Sequence, residues 1–539
     1  VTNQKRPKAF GAFAGTHDLW SLESVPDEGI YGLGIFAARF FQYLLRYSDF
    51  EEFHLFNLGL PFRKYEPAIL KSDRRVRIRP LHEFERAIDE AHFTVLHNAW
   101  GPDIGPWIDL RNRISNRAIP VTGLTHTISY QSFLPRTLLT MALGMKPWDS
   151  VICTAESAVT TMRKWIDALR ERFGNRMGLD FEGRLDKIPL AVDSELFCRR
   201  GKSEQREHFK LPQDGVIVLY VGRFSPYDKM DLAPLLLAFK QATQGLSSCS
   251  LVLGGADSRF HYADQVKHLA ASLGMADSVY ILRDISDADI PRLYSAADIF
   301  LSPSDNLQET FGQTIIEAMS SELPVVCSDW DGYRDLVEHE KTGYLIPTLW
   351  QRCDSRICDY ASMWEPAVPH FFLSQTVSVD VDLMAGSLRE LISNAELRAN
   401  MGANGRRRVL DLFDWRVVIR DYMELWEELN QVASKQEFSA QPLSWYRPDF
   451  FSTFDHYATS MLEPTTEVRA TRNEYSIPLL DDLACLMRPE VIAAIREHAQ
   501  EPISVARLES SIRSEHQISE EEFQFHLLWM LKYNEMKKL

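Results

Sequence analysis

The chain has 539 residues, which at about 150 residues per domain points to two to four domains and excludes a single small binding module. Apolar residues make up 45% and charged residues 25%, with 26 Gly and 26 Pro, the composition of a soluble globular protein and not of a collagen-like or low-complexity chain. The balance of 59 basic against 75 acidic residues, a net charge of −16, excludes a protein-wide electrostatic footprint for nucleic acid. No stretch reaches the roughly 18 apolar residues of a membrane span, and the opening residues are basic and polar, so a cytoplasmic location is expected. The seven Cys are odd in number and scattered, unlike a disulfide framework. Cys353 and Cys358 have no second ligand pair at zinc spacing.

Short apolar, β-branched or aromatic runs alternate with longer helical patterns over about the first 430 residues, which predicts parallel α/β units. Strands are expected at 9–14, 53–58, 93–97, 121–124 and 151–154, with helices at 33–47 and 155–172. A second series of strands follows at 216–221, 251–253, 279–282, 299–302 and 324–327. The simplest architecture is two Rossmann-like domains facing a cleft, 1–195 on the acceptor side and 196–415 on the donor side, joined near 193–213 where apolar periodicity lapses. A helix over 416–435 is expected to cross back to the first domain. Residues 436–539 read as a small, mainly helical appendage with helices at 503–513 and 520–533, the second opened by the capping box Ser519 and Glu522. Its acidic start at Glu520, Glu521 and Glu522 argues against DNA binding, leaving protein contact or homodimerisation as its expected role.

In open parallel sheets the loops at the carboxyl ends of strands line the binding crevice, so 222–229 and 254–257 should face it. The run YVGRFSPYDK turns at Gly222 and delivers two cations, Arg223 and Lys229, a planar fork and a point charge suited to a pyrophosphate. In ETFGQTIIEAMSSE, Glu309 and Glu317 flank Phe311 and Gly312. Gly312 at a helix start lets a phosphate approach free backbone N–H groups. Glu317, two turns into that helix, is placed to accept hydrogen bonds from a ribose diol, and Glu309 to hold sugar hydroxyls or a developing positive charge. The plainer alternative for each of these residues is a solvated surface charge.

Together these residues resemble glycosyltransferase family 4, retaining enzymes of GT-B fold that use nucleotide-activated sugars. The family's glutamate pair, separated by seven residues, matches Glu309 and Glu317. Further matches are AVDSELF at 191–197, LYSAADIFLSPS at 293–304, PVVCSDWDGYRDLVEHEKTGYLIP at 324–347 and MGANGRRRVLDLFDW at 401–415. The resemblance is strong over about 185–430, weaker over 8–184 and absent beyond 440. It implies an active-site histidine at His126 in GLTHTISYQS, and a glycine-rich donor loop at Gly29, Gly32 and Gly34. It also implies base recognition around 282–285, where Arg283 replaces the family's usual small residue.

The resemblance further implies a UDP- or GDP-sugar donor and no cofactor beyond it. The pairs Asp287/Asp289, Asp329/Asp331 and Asp380/Asp382 invite a metal, but two cations and a helix start already neutralise a leaving diphosphate, and none is expected. His97 and Trp100 are candidates for the acceptor side, but the plainer role of satisfied core residues is favoured for both. The acceptor itself, a saccharide, lipid-linked or protein hydroxyl, is left open. The basic residues Arg63, Lys64, Lys71, Arg74, Arg75, Arg77 and Arg79 would suit a phosphorylated acceptor or the inner face of an anionic membrane, or merely face water. Residues 349–375 form an insertion that departs from the family. The alternatives are an epimerase or phosphorylase of the same fold, or a non-catalytic nucleotide-sugar-binding scaffold with an interaction appendage.

Overall fold

A computed structural model describes residues 7–14, 32–58, 73–174, 180–246, 248–257, 261–441, 446, 449–471, 483 and 486–539. The first apolar runs form a seven-stranded sheet of β1 (Lys8–Ala14), β2 (Glu52–Asn57), β3 (Val76–Pro80), β4 (His92–Asn98), β5 (Val121–Leu124), β6 (Ser150–Cys153) and β7 (Arg184–Lys187). Its order is β3-β2-β1-β4-β5-β6-β7. A six-stranded sheet follows, built from β8 (Val216–Val221), β9 (Cys249–Gly255), β10 (Val279–Arg283), β11 (Ile299–Ser302), β12 (Val325–Ser328) and β13 (Gly343–Ile346), in the order β10-β9-β8-β11-β12-β13. Each order reverses beside its first strand, between β1 and β4 and between β8 and β11, and at such a switch point the loops diverge to leave a crevice. Every expected strand is present. The sequence missed β3, β7 and β13, and β7 (RLDK) explains why: an edge strand keeps one side in water and carries charges.

Compact packing divides the chain into two units, residues 1–55, 75–77 and 85–443 in one and 56–74, 78–84 and 444–539 in the other, the boundary running through β2 and β3. In the first unit the Trp415–Ala433 helix buries Val418, Ile419, Tyr422, Leu425, Trp426 and Leu429. That spacing makes one apolar stripe, which lies on β4 and on the Gly32–Tyr47 helix. Trp426 packs against Phe10, with ring centroids 5.4 Å apart, and donates its indole N–H to Thr122 at 3.2 Å. The same cluster holds His97, whose Nδ1 is 2.8 Å from Thr122 Oγ1 and whose ring is 5.2 Å from that of Trp426. His97 is therefore a core residue, the plainer and favoured of its two expected roles, and the acceptor-side alternative falls away.

The basic residues of the first half are partly accounted for. Arg63, Lys64 and Lys71 lie outside the described residues. Arg75 donates to the carbonyls of Leu45 and Phe50 (2.7 and 3.2 Å), Arg77 pairs with Glu52 (2.5 Å) and Arg79 with Glu83 (3.5 Å), so these three are used by the fold. Two short strands, β14 (Thr348–Leu349) and β15 (Ser378–Val379), pair across the insertion.

In the second unit, β16 (Glu467–Ala470), β17 (Ile503–Ser504) and β18 (Met536–Lys538) form an antiparallel sheet in the order β17-β16-β18. The helices Pro489–His498, Val505–His516 and Glu520–Lys532 cover a core that includes Val468, Val491, Ile495, Leu508, Phe523 and Met530. Ser519 Oγ accepts the Glu522 N–H at 3.1 Å, closing the expected cap. The strands escaped the sequence reading because β16 buries a single residue fully and carries no run of apolar positions. Among the described residues no helix is long and apolar enough to cross a membrane.

Candidate active site

The apolar run of β8 ends at Val221, and Gly222 continues the ladder by donating its N–H to the Gly254 carbonyl at 2.9 Å. Here β8 and β9 approach so closely that a Cβ on Gly255 would stand 1.8 Å from the Gly222 carbonyl oxygen. Gly255 thus sets the height of the loop that follows β8, a role no sequence signal marked. Gly255→Ala is expected to push the two strand ends apart and destabilise the protein by about 1–3 kcal/mol, read as a lowered midpoint in thermal unfolding.

Arg223 folds back onto its own loop, with its guanidinium 3.2 Å from the Asp228 carboxylate and 3.0 Å from the Asp228 carbonyl. Lys229 reaches the other way. Its ammonium lies 2.5 Å from Glu309 Oε2, although the two are 80 residues apart, and each side chain is about 15% exposed (15% and 14%). The Tyr333 hydroxyl is 3.5 Å from the same carboxylate oxygen and 2.9 Å from Ser302 Oγ, adding a neutral donor that the sequence reading did not single out.

Gly312 caps the Gln313–Ser320 helix at φ +112°, and a Cβ there would lie 2.6 Å from the Tyr333 ring. Both the left-handed backbone and the lack of space demand glycine. Five residues on, Glu317 is buried and accepts the Tyr294 hydroxyl at 3.0 Å. Burial pushes its carboxyl up to about 7, with Arg39 and then Lys229 among the groups pulling it down. Phe311 is buried edge-on to Phe413, with ring centroids 6.2 Å apart, and so serves packing beneath the loop.

His126 follows β5. Its Nε2 lies 3.0 Å from the Ala99 carbonyl and must donate, because a carbonyl oxygen only accepts. Burial holds the ring near pKa 4, so the imidazole is neutral at physiological pH. The Thr310 hydroxyl donates to the His126 carbonyl, which ties the Glu309 loop to this segment. Ser157 Oγ on Asp331 (2.6 Å) and Lys187 on Asp335 (3.3 Å) add further ties across the cleft. Trp100 is partly exposed, and its backbone N–H donates to Asn98 Oδ1 at 3.1 Å.

The remaining expectations fall as follows. Arg283, at the end of β10, is held by Asp264 and, at 3.4 Å, by Asp257, so its guanidinium is committed to two carboxylates. Gly32 opens the Gly32–Tyr47 helix and Gly34 lies in its first turn, while Gly29 lies outside the described residues. Of the Asp-x-Asp pairs, Asp329 accepts from Arg334 and Asp331 from Ser157 (both 2.6 Å), Asp289 accepts from Ser286 (2.8 Å), and Asp380 caps the Val381–Ser393 helix. No cluster of three potential metal ligands occurs among the described residues.

Comparison with known proteins follows this geometry. Residues 201–363 match the model for glycosyl transferases group 1. The D-inositol 3-phosphate glycosyltransferase of Salinispora tropica is 31% identical over 188 residues, 32% of this chain and 39% of that protein. Its counterpart in Salinispora arenicola is 34% identical over 188 residues, 32% of this chain and 42% of that protein. The chain thus spans about two fifths of the length of the curated relatives it matches. Among solved structures, sucrose-phosphate synthase from Thermosynechococcus elongatus is 18% identical, with a TM-score of 0.53 over 79% of this chain and 100% of that one. Anabaena Alr3699/HepE in complex with UDP is 16% identical, with a TM-score of 0.52 over 78% of this chain and 100% of that one. The fold is therefore GT-B, the two-sheet architecture of glycosyltransferases. Within it, residues 201–363, which carry Arg223, Lys229, Glu309 and Glu317, are the part that matches the group 1 glycosyl transferase model.

Proposed function

We propose that the protein is a retaining glycosyltransferase of family 4 type that moves a sugar from a nucleotide diphosphate sugar, UDP- or GDP-linked, to a hydroxyl acceptor. The observation that carries this reading is the meeting of Lys229 and Glu309 in the loops that follow β8 and β11, beside the helix start at Gly312, which no described side chain caps. A fixed cation and free N–H groups stabilise a leaving diphosphate as the anomeric bond breaks. Glu309 and the neutral His126 orient the sugar, and Glu317 takes the ribose. In a front-side attack the acceptor hydroxyl gives its proton to the departing phosphate while its oxygen bonds the anomeric carbon on the same face. No cofactor beyond the donor and no metal enter this reading. The Anabaena structures in complex with UDP and with UDP-glucose support the donor class. The inositol phosphate named for the curated relatives supports a hydroxyl-rich acceptor.

The test is release of nucleotide from UDP-, GDP-, ADP- and dTDP-sugars by the purified protein, with and without chelator. Slow release from one donor, indifferent to chelator, is expected. No release and no thermal stabilisation by any nucleotide would favour a scaffold instead.

The raised carboxyl of Glu317 gives a second test. A carboxyl whose folded pKa lies above its unfolded value binds extra protons in the folded state, so its effect on stability becomes less favourable as pH rises from about 4.5 through about 7. Ribose binding runs the opposite way, because the ionised form is the better acceptor. Nucleotide affinity should strengthen between about pH 6 and pH 8, and Glu317→Gln should flatten that dependence. Calorimetric titration of UDP or GDP at several pH values measures both.

A further inference from the structure

The insertion at 349–375 contributes the Ala367–Ser374 helix, and two adjacent residues of that helix touch both sides of the cleft. His370 Nε2 lies 3.3 Å from the carbonyl of Ser129, three residues past His126, and its ring packs on Tyr130 with centroids 4.9 Å apart. Phe371 stacks on Tyr227 at 4.5 Å, immediately before Asp228, the residue that holds Arg223. The insertion therefore brings a side chain to the place where the His126 segment meets the loop of the two cations.

The protonation of His370 follows from its partner. A carbonyl oxygen only accepts, so Nε2 carries the proton and Nδ1 is a bare lone pair. His370 is 1% exposed, and its Nδ1 is buried with no hydrogen-bond partner. Burial holds the ring below the usual histidine range, while the Asp228 carboxylate nearby acts in the opposite direction. Asp228 repeats the pattern: it is 8% exposed, one carboxylate oxygen takes Arg223, and Oδ1 is buried without a partner. Ser129 Oγ at the same place is also buried and unpaired.

Buried polar atoms are nearly always hydrogen-bonded, so three unpaired ones on segments that this helix joins call for a partner, and a bound ligand can supply it. His370 Nδ1 and Asp228 Oδ1 can only accept. An anionic oxygen offers them no proton, whereas a polyol presents neighbouring hydroxyl donors. The geometry points to a hydroxyl-reading subsite in which His370 Nδ1 and Asp228 Oδ1 accept hydrogen bonds from a polyol, with His370, brought by the insertion, as a specificity-determining residue. The inference rests on the glycosyltransferase reading and deepens it. The hydroxyls come either from the donor sugar or from the acceptor.

The experiment uses the full chain and two variants. His370→Ala removes both ring nitrogens, while His370→Gln keeps an N–H donor for the Ser129 carbonyl and loses the Nδ1 acceptor. Calorimetry compares UDP and GDP, then UDP-glucose and GDP-mannose, then glucose and myo-inositol added to nucleotide-loaded protein, and unfolding midpoints verify that both variants fold. Both should bind free UDP or GDP like the wild type and lose about fivefold to tenfold in affinity, the effect of one hydrogen bond. The loss falls on the sugar nucleotide if the hydroxyls belong to the donor, and on glucose or inositol if they belong to the acceptor. An impaired His370→Ala beside an unimpaired His370→Gln would reduce the residue to its tie with Ser129 and overturn the subsite. So would variants that match the wild type in every arm. A wild-type protein that binds neither nucleotide nor sugar nucleotide would overturn the glycosyltransferase reading as well.

Discussion

Lys229→Ala will lower the turnover of the sugar nucleotide by at least about tenfold, equivalent to about 1.4 kcal/mol of barrier. Two effects add. Among the described residues the ammonium is the one cationic group paired with Glu309, and on the proposed reading its loss leaves no point charge on the β8 loop to face the leaving diphosphate. The Glu309 carboxylate, 14% exposed, also loses its counter-charge and, among the described residues, keeps the more distant Tyr333 hydroxyl at 3.5 Å. Glu309→Gln separates the two effects, because it keeps the shape and removes the charge. A double-mutant cycle between Lys229 and Glu309 should give strongly non-additive losses, as expected for groups in direct contact. Turnover near the wild-type value in Lys229→Ala would remove this residue from the catalytic site. Initial rates of nucleotide release, with unfolding midpoints as a control, decide the matter.

Asp149→Ala will destabilise the first unit by about 3–5 kcal/mol, because it strands a buried charge. Arg111 and Asp149 are both fully buried, and the guanidinium grips the carboxylate with two N–H groups at 3.0 and 2.7 Å. The remaining acceptor capacity of Asp149 is filled by the backbone N–H groups of Val121 and Lys146, both at 2.8 Å. The carboxylate thereby fixes the start of β5, and β5 leads directly to His126. Turnover should fall together with stability. Arg111→Met strands the Asp149 carboxylate in turn, but that carboxylate keeps the Val121 and Lys146 N–H donors and can take up a proton, which a guanidinium cannot shed, so this variant should cost less than Asp149→Ala. Urea unfolding of the two variants measures the order, and equal stability of Asp149→Ala and wild type would refute the argument.

The strands of both sheet interiors were legible because buried parallel strands are short apolar runs, as VIVLYV in β8 illustrates. The edges were not, since β7 draws its stability from pairing with β6 and carries three charged residues in four. At the site the informative signal was residue type at a loop after a strand. It singled out Lys229, Glu309 and Glu317, each polar where the apolar pattern stops or turns inward. It missed Tyr333 and Thr310, whose hydroxyls acquire meaning only through what the fold sets beside them. His97 was ambiguous for the same reason, with the core role favoured: a histidine at a strand end reads alike whether it faces a cleft or, as here, the Trp426 stripe of a helix that begins about 320 residues later in the chain.

The sequence by itself determined the two-sheet plan, the switch-point loops and the residue types fit to meet a diphosphate sugar. All of these depend on local periodicity and on chemistry carried within a few residues. Only the tertiary structure decided who meets whom. It turned Arg223 onto Asp228, aimed Lys229 at Glu309, committed Arg283 to Asp257 and Asp264, and brought His370 from the insertion to the Ser129 carbonyl. Hydrogen bonds and ion pairs act over about 3 Å, and only the packing of elements far apart in the chain sets distances on that scale.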